Sequence, residues 1–102
     1  VLFVDDRAVP PDHARSNYRM VKESLIDPAR LPADRVHRMK GDAPDLEEAA
    51  REYEQIVKAC SPIDVMVLGV GDDGHTASMF PGEPTIDVTD RRVAAPQRPH
   101  ET

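Results

Sequence analysis

The stretch Asp64-Val65-Met66-Val67-Leu68-Gly69-Val70-Gly71-Asp72-Asp73-Gly74-His75 limits what this chain can fold into more than any other segment. Val65 to Leu68 are apolar without interruption. A strand with one wet face would alternate polar and apolar residues. An unbroken run predicts a strand over 63–68 covered on both faces, as in a parallel sheet between helical layers. Glycines at 69, 71 and 74 then turn the chain sharply, and one imidazole follows. Ligands of open α/β sheets collect at the carboxyl ends of strands. Chemistry is therefore expected at this loop.

The remaining segments support the same class. Val1-Leu2-Phe3-Val4 reads as a second buried strand, ending at Asp5-Asp6-Arg7. Ser16 is a good N-cap for a helix running to about Leu25, with Tyr18, Val21, Leu25 and Ile26 as its apolar stripe. Pro28 and Pro32 break the chain, and Val36 to Met39 suggests a short strand. Asp45 with Glu48 forms an aspartate version of the capping box. Leu46, Ala49, Ala50, Tyr53, Val57 and Cys60 follow at helical spacing, and Ser61-Pro62 ends that helix. Cys60 and Met66 read as core. His75 to Met79 leaves room for little more than one helical turn before Phe80-Pro81-Gly82. Arg92 to Ala95 is a further candidate strand. Strands alternating with helices predict an α/β fold with a parallel sheet. Parallel strands would bring Asp5-Asp6-Arg7 and the glycine loop to one edge, so Arg7 and His75 are expected to share a pocket. The chain opens on a buried-type strand, and Gln97 to Thr102 reads as a loop cut short. The 102 residues are expected to be the central part of a single domain, truncated at both ends.

Charge narrows the partners. The formal net charge is -6 and the pI about 5.1, which argues against nucleic acid and against an anionic membrane surface. A phosphorylated small molecule stays admissible, because one or two arginines can dominate a local pocket. No apolar run is long enough to span a bilayer. A single cysteine, Cys60, fits a reducing compartment, and a cytoplasmic location is expected.

Three chemistries compete for the loop. Gly69-x-Gly71-x-x-Gly74 matches the dinucleotide-binding glycine pattern. That pattern should open a long helix, yet Pro81 stops the chain within a turn or two, and Asp72 and Asp73 would repel a pyrophosphate. A Ser-His-Asp hydrolase built from Ser78, His75 and Asp73 is crowded too closely in sequence and lacks the Gly-x-Ser-x-Gly elbow. Metal binding finds no support, because His13, His37, His75 and His100 have no companion at ligand spacing. No cofactor or metal is called for.

Asp72-Asp73-Gly74-His75-Thr76-Ala77-Ser78-Met79-Phe80-Pro81-Gly82 is very similar to the signature of 6-phosphogluconolactonases. Phe3-Val4-Asp5-Asp6-Arg7-Ala8-Val9-Pro10, Ser16-Asn17-Tyr18, Val36-His37-Arg38-Met39 and the helix from Asp45 to Tyr53 follow the family's order. Asp6 stands where the family usually has Glu, and Met79 where it more often has Leu. The family's upstream Gly-Gly-Ser/Thr phosphate loop and downstream Lys segment have no counterpart here. The resemblance implies part of a three-layer, Rossmann-like domain of the NagB/RpiA-like kind. It also implies hydrolysis of 6-phosphoglucono-1,5-lactone to 6-phosphogluconate. His75 matches the general base, and an imidazole titrates near working pH. Arg7 matches a pocket arginine with an anion-binding role. Asp5 would orient Arg7 or a sugar hydroxyl, and Asn17 would contact substrate. The amides from Gly71 to Gly74 are candidate oxyanion donors.

Each residue also has a plainer reading. A lone loop histidine is usually solvated, and Arg7 could simply pair with Asp5 or Asp6. Asp73 reads chiefly as a turn residue of the substrate-facing loop. Gly71 and Gly74 would supply positive φ or close approach. Asn17 could belong to a helix cap. His13, His37 and His100 read as solvated, and Arg91-Arg92 as a surface pair. Two rivals remain. A glucosamine-6-phosphate deaminase or isomerase would carry Asp-Glu-Tyr at the first strand end and Asn-Glu-Pro beyond the histidine. A sugar-phosphate-binding regulator would have no need of His75 and Arg7 together.

Overall fold

The computed structural model describes residues 1–95. Gln97 to Thr102, with His100, lies outside the described residues. Two helices organise the chain. Helix α1, Asn17–Val21, is capped by Ser16, whose Oγ accepts from the Arg19 amide at 3.1 Å. It widens into a π-turn over Lys22–Ile26, where the Asp27 amide donates to the Lys22 carbonyl. That turn swings Ile26 into the core and leaves Leu25 exposed. The stripe expected along this helix is therefore split.

Helix α2, Leu46–Cys60, begins at Asp45, whose Oδ1 accepts from the Glu47 and Glu48 amides, and stops at Ser61. This matches the sequence reading at both ends. The carboxylate satisfies two amides that have no partner within the helix and complements the positive end of its dipole. Ala50 and Tyr53 form its buried face.

The core is small. Phe3, Ile26, Ala50 and Tyr53 are its buried apolar side chains. Tyr53 ties it together. Its hydroxyl accepts from the Phe3 amide at 2.8 Å and donates to the His37 carbonyl at 2.7 Å. The Phe3 ring leans on Tyr18, with centroids 5.8 Å apart. Helix α2 is thus pinned to both segments read as strands at 1–4 and 36–39. Those segments run parallel but meet at a single bridge, Leu2 with His37, supported by the His37 amide donating to the Val1 carbonyl at 2.9 Å.

Four expectations are corrected. The run 63–68 forms no ladder among the described residues, and Val65 and Val67 are 79% and 84% exposed. A strand needs neighbours that accept its amides, and none of the described residues takes that place. Cys60 and Met66 are exposed for the same reason, since no described layer covers that side. Residues 75–79 form a tight turn instead of a helix: the Met79 amide donates to the Thr76 carbonyl at 2.9 Å, with Ala77 at φ 51°. Arg92 and Val93 do not build a strand; their amides both donate to Glu54 on α2. A short 3₁₀ turn, Pro84–Asp87, was not foreseen.

Candidate active site

Two loops meet beside Phe3. The first begins at Asp5. Asp6 faces back toward α1: its Oδ1 accepts from the Asn17 amide at 2.8 Å and the Arg7 amide at 2.7 Å, and its Oδ2 from the Tyr18 amide at 3.1 Å. Asp6 thus caps α1 from outside the helix and fixes the backbone of Arg7. The Arg7 side chain does not pair with either neighbouring aspartate. Its Nη1 donates to Asn17 Oδ1 at 2.6 Å and to the Arg15 carbonyl at 3.2 Å. Asn17 Nδ2 in turn donates to Asp5 Oδ1 at 3.2 Å. Asn17 therefore joins Asp5 to Arg7, and its backbone still starts the helix.

The second loop presents His75. The Gly71 amide donates to the His75 carbonyl at 2.8 Å, and the Gly74 amide to the Gly71 carbonyl at 3.0 Å. Both amides are spent on the loop itself, which leaves them no donor for an oxyanion in this arrangement. Gly74, at φ +89°, occupies the left-handed region that glycine enters at no cost. Gly71 is needed for closeness instead. A Cβ there would lie 2.2 Å from His75 Cε1 and 2.3 Å from Nδ1. The imidazole also stacks on Phe80, with centroids 4.5 Å apart and planes at 25°. The ring thus has a bare backbone and an aromatic plate as close neighbours.

Asp73 completes this mounting. Its Oδ1 accepts from the His75 amide at 3.0 Å and lies 2.6 Å from the ring Nδ1. The amide donor is the main reason its carboxyl is held below the usual carboxylate range, and the ring contact adds to it. An ionised carboxylate only accepts, so Nδ1 carries the proton and Nε2 is the basic nitrogen of the neutral ring. Asp73 is thus a turn residue and an imidazole partner at once.

A cleft of about 370 Å³ lies between the loops, lined by Asp5, Arg7, Asn17, Leu68, Gly71 and His75 among others. Residues distant in sequence therefore border one cleft. Asp73 and Gly74 are not among the residues that line it. One further contact crosses the cleft: Ser78 Oγ donates to Asp5 Oδ2 at 2.8 Å. Ser78 makes this bond to Asp5, while His75 is engaged with Asp73, so the three are not strung together as a Ser-His-Asp triad. No group of three or more potential metal ligands occurs among the described residues.

Sequence reasoning missed four contributors. Asp6, Phe80 and Ser78 lay inside recognised motifs, but their partners are tertiary. Gly41 carried only a turn signal, Lys40-Gly41-Asp42. A Cβ at Gly41 would lie 2.1 Å from the Arg7 carbonyl, so its bareness lets the Arg7 segment pass.

The family model described as glucosamine-6-phosphate isomerases/6-phosphogluconolactonase matches residues 1–102. The chain belongs to this family. It is 39% identical over 101 residues to a probable 6-phosphogluconolactonase 3, chloroplastic, of Oryza sativa subsp. indica, covering 85% of this chain and 31% of that protein. It is 39% identical over 101 residues to the 6-phosphogluconolactonase of a Synechocystis strain, covering 91% of this chain and 42% of that one. The crystal structure of 6-phosphogluconolactonase from Thermotoga maritima superposes with a TM-score of 0.72 at 39% identity, over 78% of this chain and 36% of that one. The chain thus spans about a third to two fifths of the length of these family members. The fold is the family's α/β, NagB/RpiA-like class, as expected from the sequence, although few of its strands pair within the described residues.

Proposed function

We propose that the protein carrying this chain hydrolyses 6-phospho-D-glucono-1,5-lactone to 6-phospho-D-gluconate, a step of the oxidative pentose phosphate pathway. The relatives' names support the substrate. The observation that carries the chemistry is the Asp73–His75 pair mounted at the wall of a cleft that also holds Arg7.

His75 Nε2 takes a proton from a water molecule as its oxygen attacks the lactone carbonyl. Asp73 keeps the proton on Nδ1 and stabilises the imidazolium that forms. The tetrahedral oxyanion then collapses, the bond to the ring oxygen breaks, and the imidazolium returns its proton to that oxygen. Water is consumed, the product carries a new hydroxyl and a new carboxyl group, and the carboxyl then releases the second proton of that water to solvent. Arg7 has Nη1 fixed by Asn17 and the Arg15 carbonyl. Its Nη2 and Nε are left to grip an anion, either the substrate phosphate or the nascent carboxylate. Asp5 acts on Arg7 through Asn17, because both of its oxygens are already engaged. Asn17 lines the same cleft, and with its amide engaged by Arg7 and Asp5 it serves substrate binding by fixing Arg7 there. The reaction needs no cofactor, and its place is the cytoplasm.

Arg7 and the Ser78-Met79-Phe80-Pro81 sequence favour the lactonase over the deaminase within this family. The test is His75→Ala in the complete protein, with spontaneous lactone opening subtracted. Hydrolysis should fall at least roughly 10²-fold, the low end for loss of a general base. A variant as fast as wild type removes His75 from the mechanism. Ammonia release from glucosamine 6-phosphate by the wild-type protein would replace the lactonase reading with the deaminase.

A further inference from the structure

We propose that Ser78 is a positioning residue whose hydroxyl, bonded to Asp5, clasps the His75 loop to the loop that carries Arg7. The proposal rests on the lactonase reading for its kinetic readout only.

The geometry forms one continuous chain. Ser78 Oγ donates to Asp5 Oδ2 at 2.8 Å, Asn17 Nδ2 donates to Asp5 Oδ1 at 3.2 Å, and Arg7 Nη1 donates to Asn17 Oδ1 at 2.6 Å. Ser78 and Asp5 lie 73 positions apart in sequence. Other hydrogen bonds of the His75 loop close within it: Gly71 and Gly74 bond inside the loop, Asp73 bonds to His75, and the Thr76 hydroxyl donates to the Gly69 carbonyl at 2.8 Å. These bonds shape the loop without setting its distance from Arg7. Ser78 reaches across, from a turn whose preceding residue, Ala77, sits at φ 51°. A non-glycine residue in that region is costly unless its surroundings hold it, and the Ser78 bond is a local contact able to do so.

The acceptor suits the task. A carboxylate takes a hydroxyl donor strongly, and its two oxygens can serve two partners at a fixed separation. Asp5 is thereby the hinge pin between base and guanidinium. Loss of the hydroxyl would leave His75 on Asp73 and Arg7 on Asn17, each intact, but let the two halves drift. Displacement of about 1 Å between reacting groups can cost 10²-fold in rate. Substrate held through Arg7 should still bind, so the loss falls on kcat and spares KM.

The experiment compares Ser78→Ala and Ser78→Thr with wild type in the complete protein, by kinetics and by NMR. Ser78→Ala is expected to lower kcat roughly 10- to 100-fold, with KM within about twofold and the melting transition still cooperative. Ser78→Thr keeps the hydroxyl and should recover most of the rate. The Asn17 side-chain amide and His75 ring resonances should shift in Ser78→Ala and return in Ser78→Thr. Those resonances need no substrate. They therefore test the clasp even if the wild-type protein hydrolyses the lactone no faster than buffer, an outcome that would remove the lactonase reading alone. Unmoved Asn17 and His75 signals in Ser78→Ala would overturn the clasp. So would a Ser78→Thr variant as impaired as Ser78→Ala.

Discussion

At the scale of single residues, two atoms of space and one proton decide how His75 is presented. Gly71 gives the space. Its missing Cβ would fall within 2.3 Å of two imidazole atoms, whereas a Cβ at Gly69 would meet nothing within 4 Å. Gly71→Ala should therefore cost lactone hydrolysis about as much as losing the imidazole, roughly 10²-fold, while Gly69→Ala stays near wild type. Steady-state kcat of the pair checks this, and equal rates in the two variants would refute the contact. Asp73 controls the proton. Its native carboxyl titrates below the ordinary value because it accepts from the His75 amide and, secondarily, from the ring. Between the native and unfolded values the folded protein binds fewer protons than the unfolded chain. The stabilisation is therefore complete above the ordinary carboxylate value of about 3.9 and is lost as pH falls through the lower native one. Carbon-detected NMR of the Asp73 carboxyl should show a midpoint below about 3.9. A midpoint above that value would mean the pair does not form in solution.

At the scale of elements, Tyr53 does what strand pairing does in a larger sheet. Helix α2 lies across the first segment, and the phenol bridges the Phe3 amide and the His37 carbonyl. Burial raises the phenol's pKa, which keeps it protonated and able to donate. Tyr53→Phe would leave a buried amide without a partner and take the donor from the His37 carbonyl, at a cost of about 1–3 kcal/mol. Urea unfolding of the complete protein measures it, and an unchanged midpoint would show that water replaces the hydroxyl freely. The strand end at Asp5 follows directly on this pinned segment. A loosened α2 should therefore also blur the position of Arg7.

At the scale of the whole molecule, surface exceeds what the mass can hide. The accessible area is 7253 Å², against about 5,700 Å² for a self-contained chain of 11.3 kDa. Val65, Val67 and Val70, each more than three-quarters exposed, belong to that surplus. They lie in the segment between the end of α2 and the His75 loop, and Val67 and Val70 line the cleft. Prepared as these 102 residues alone, the chain should be marginally stable and poorly active. Hydrogen exchange should be slowest in the middle of α2 and fast over 63–70. Slow exchange across 63–70 in that preparation would mean that the run finds partners that the described residues do not supply.

The sequence by itself determined the local features that depend on near neighbours. Asp45 and Ser61 set the ends of α2, Ser16 started α1, and the glycines shaped a loop that ends at His75. The signature around that loop was specific enough to mark the family. Tertiary structure decided whatever depends on the identity of a distant partner. Asp6 became a cap, Asn17 a link, Ser78 a clasp and Gly41 a gap only once separate segments met. The run 63–68 carries the clearest apolar pattern in the chain and yet pairs with nothing described. Hydrophobic pattern reports that a segment is suited to burial, but a ladder forms only where neighbouring backbone offers donors and acceptors in register.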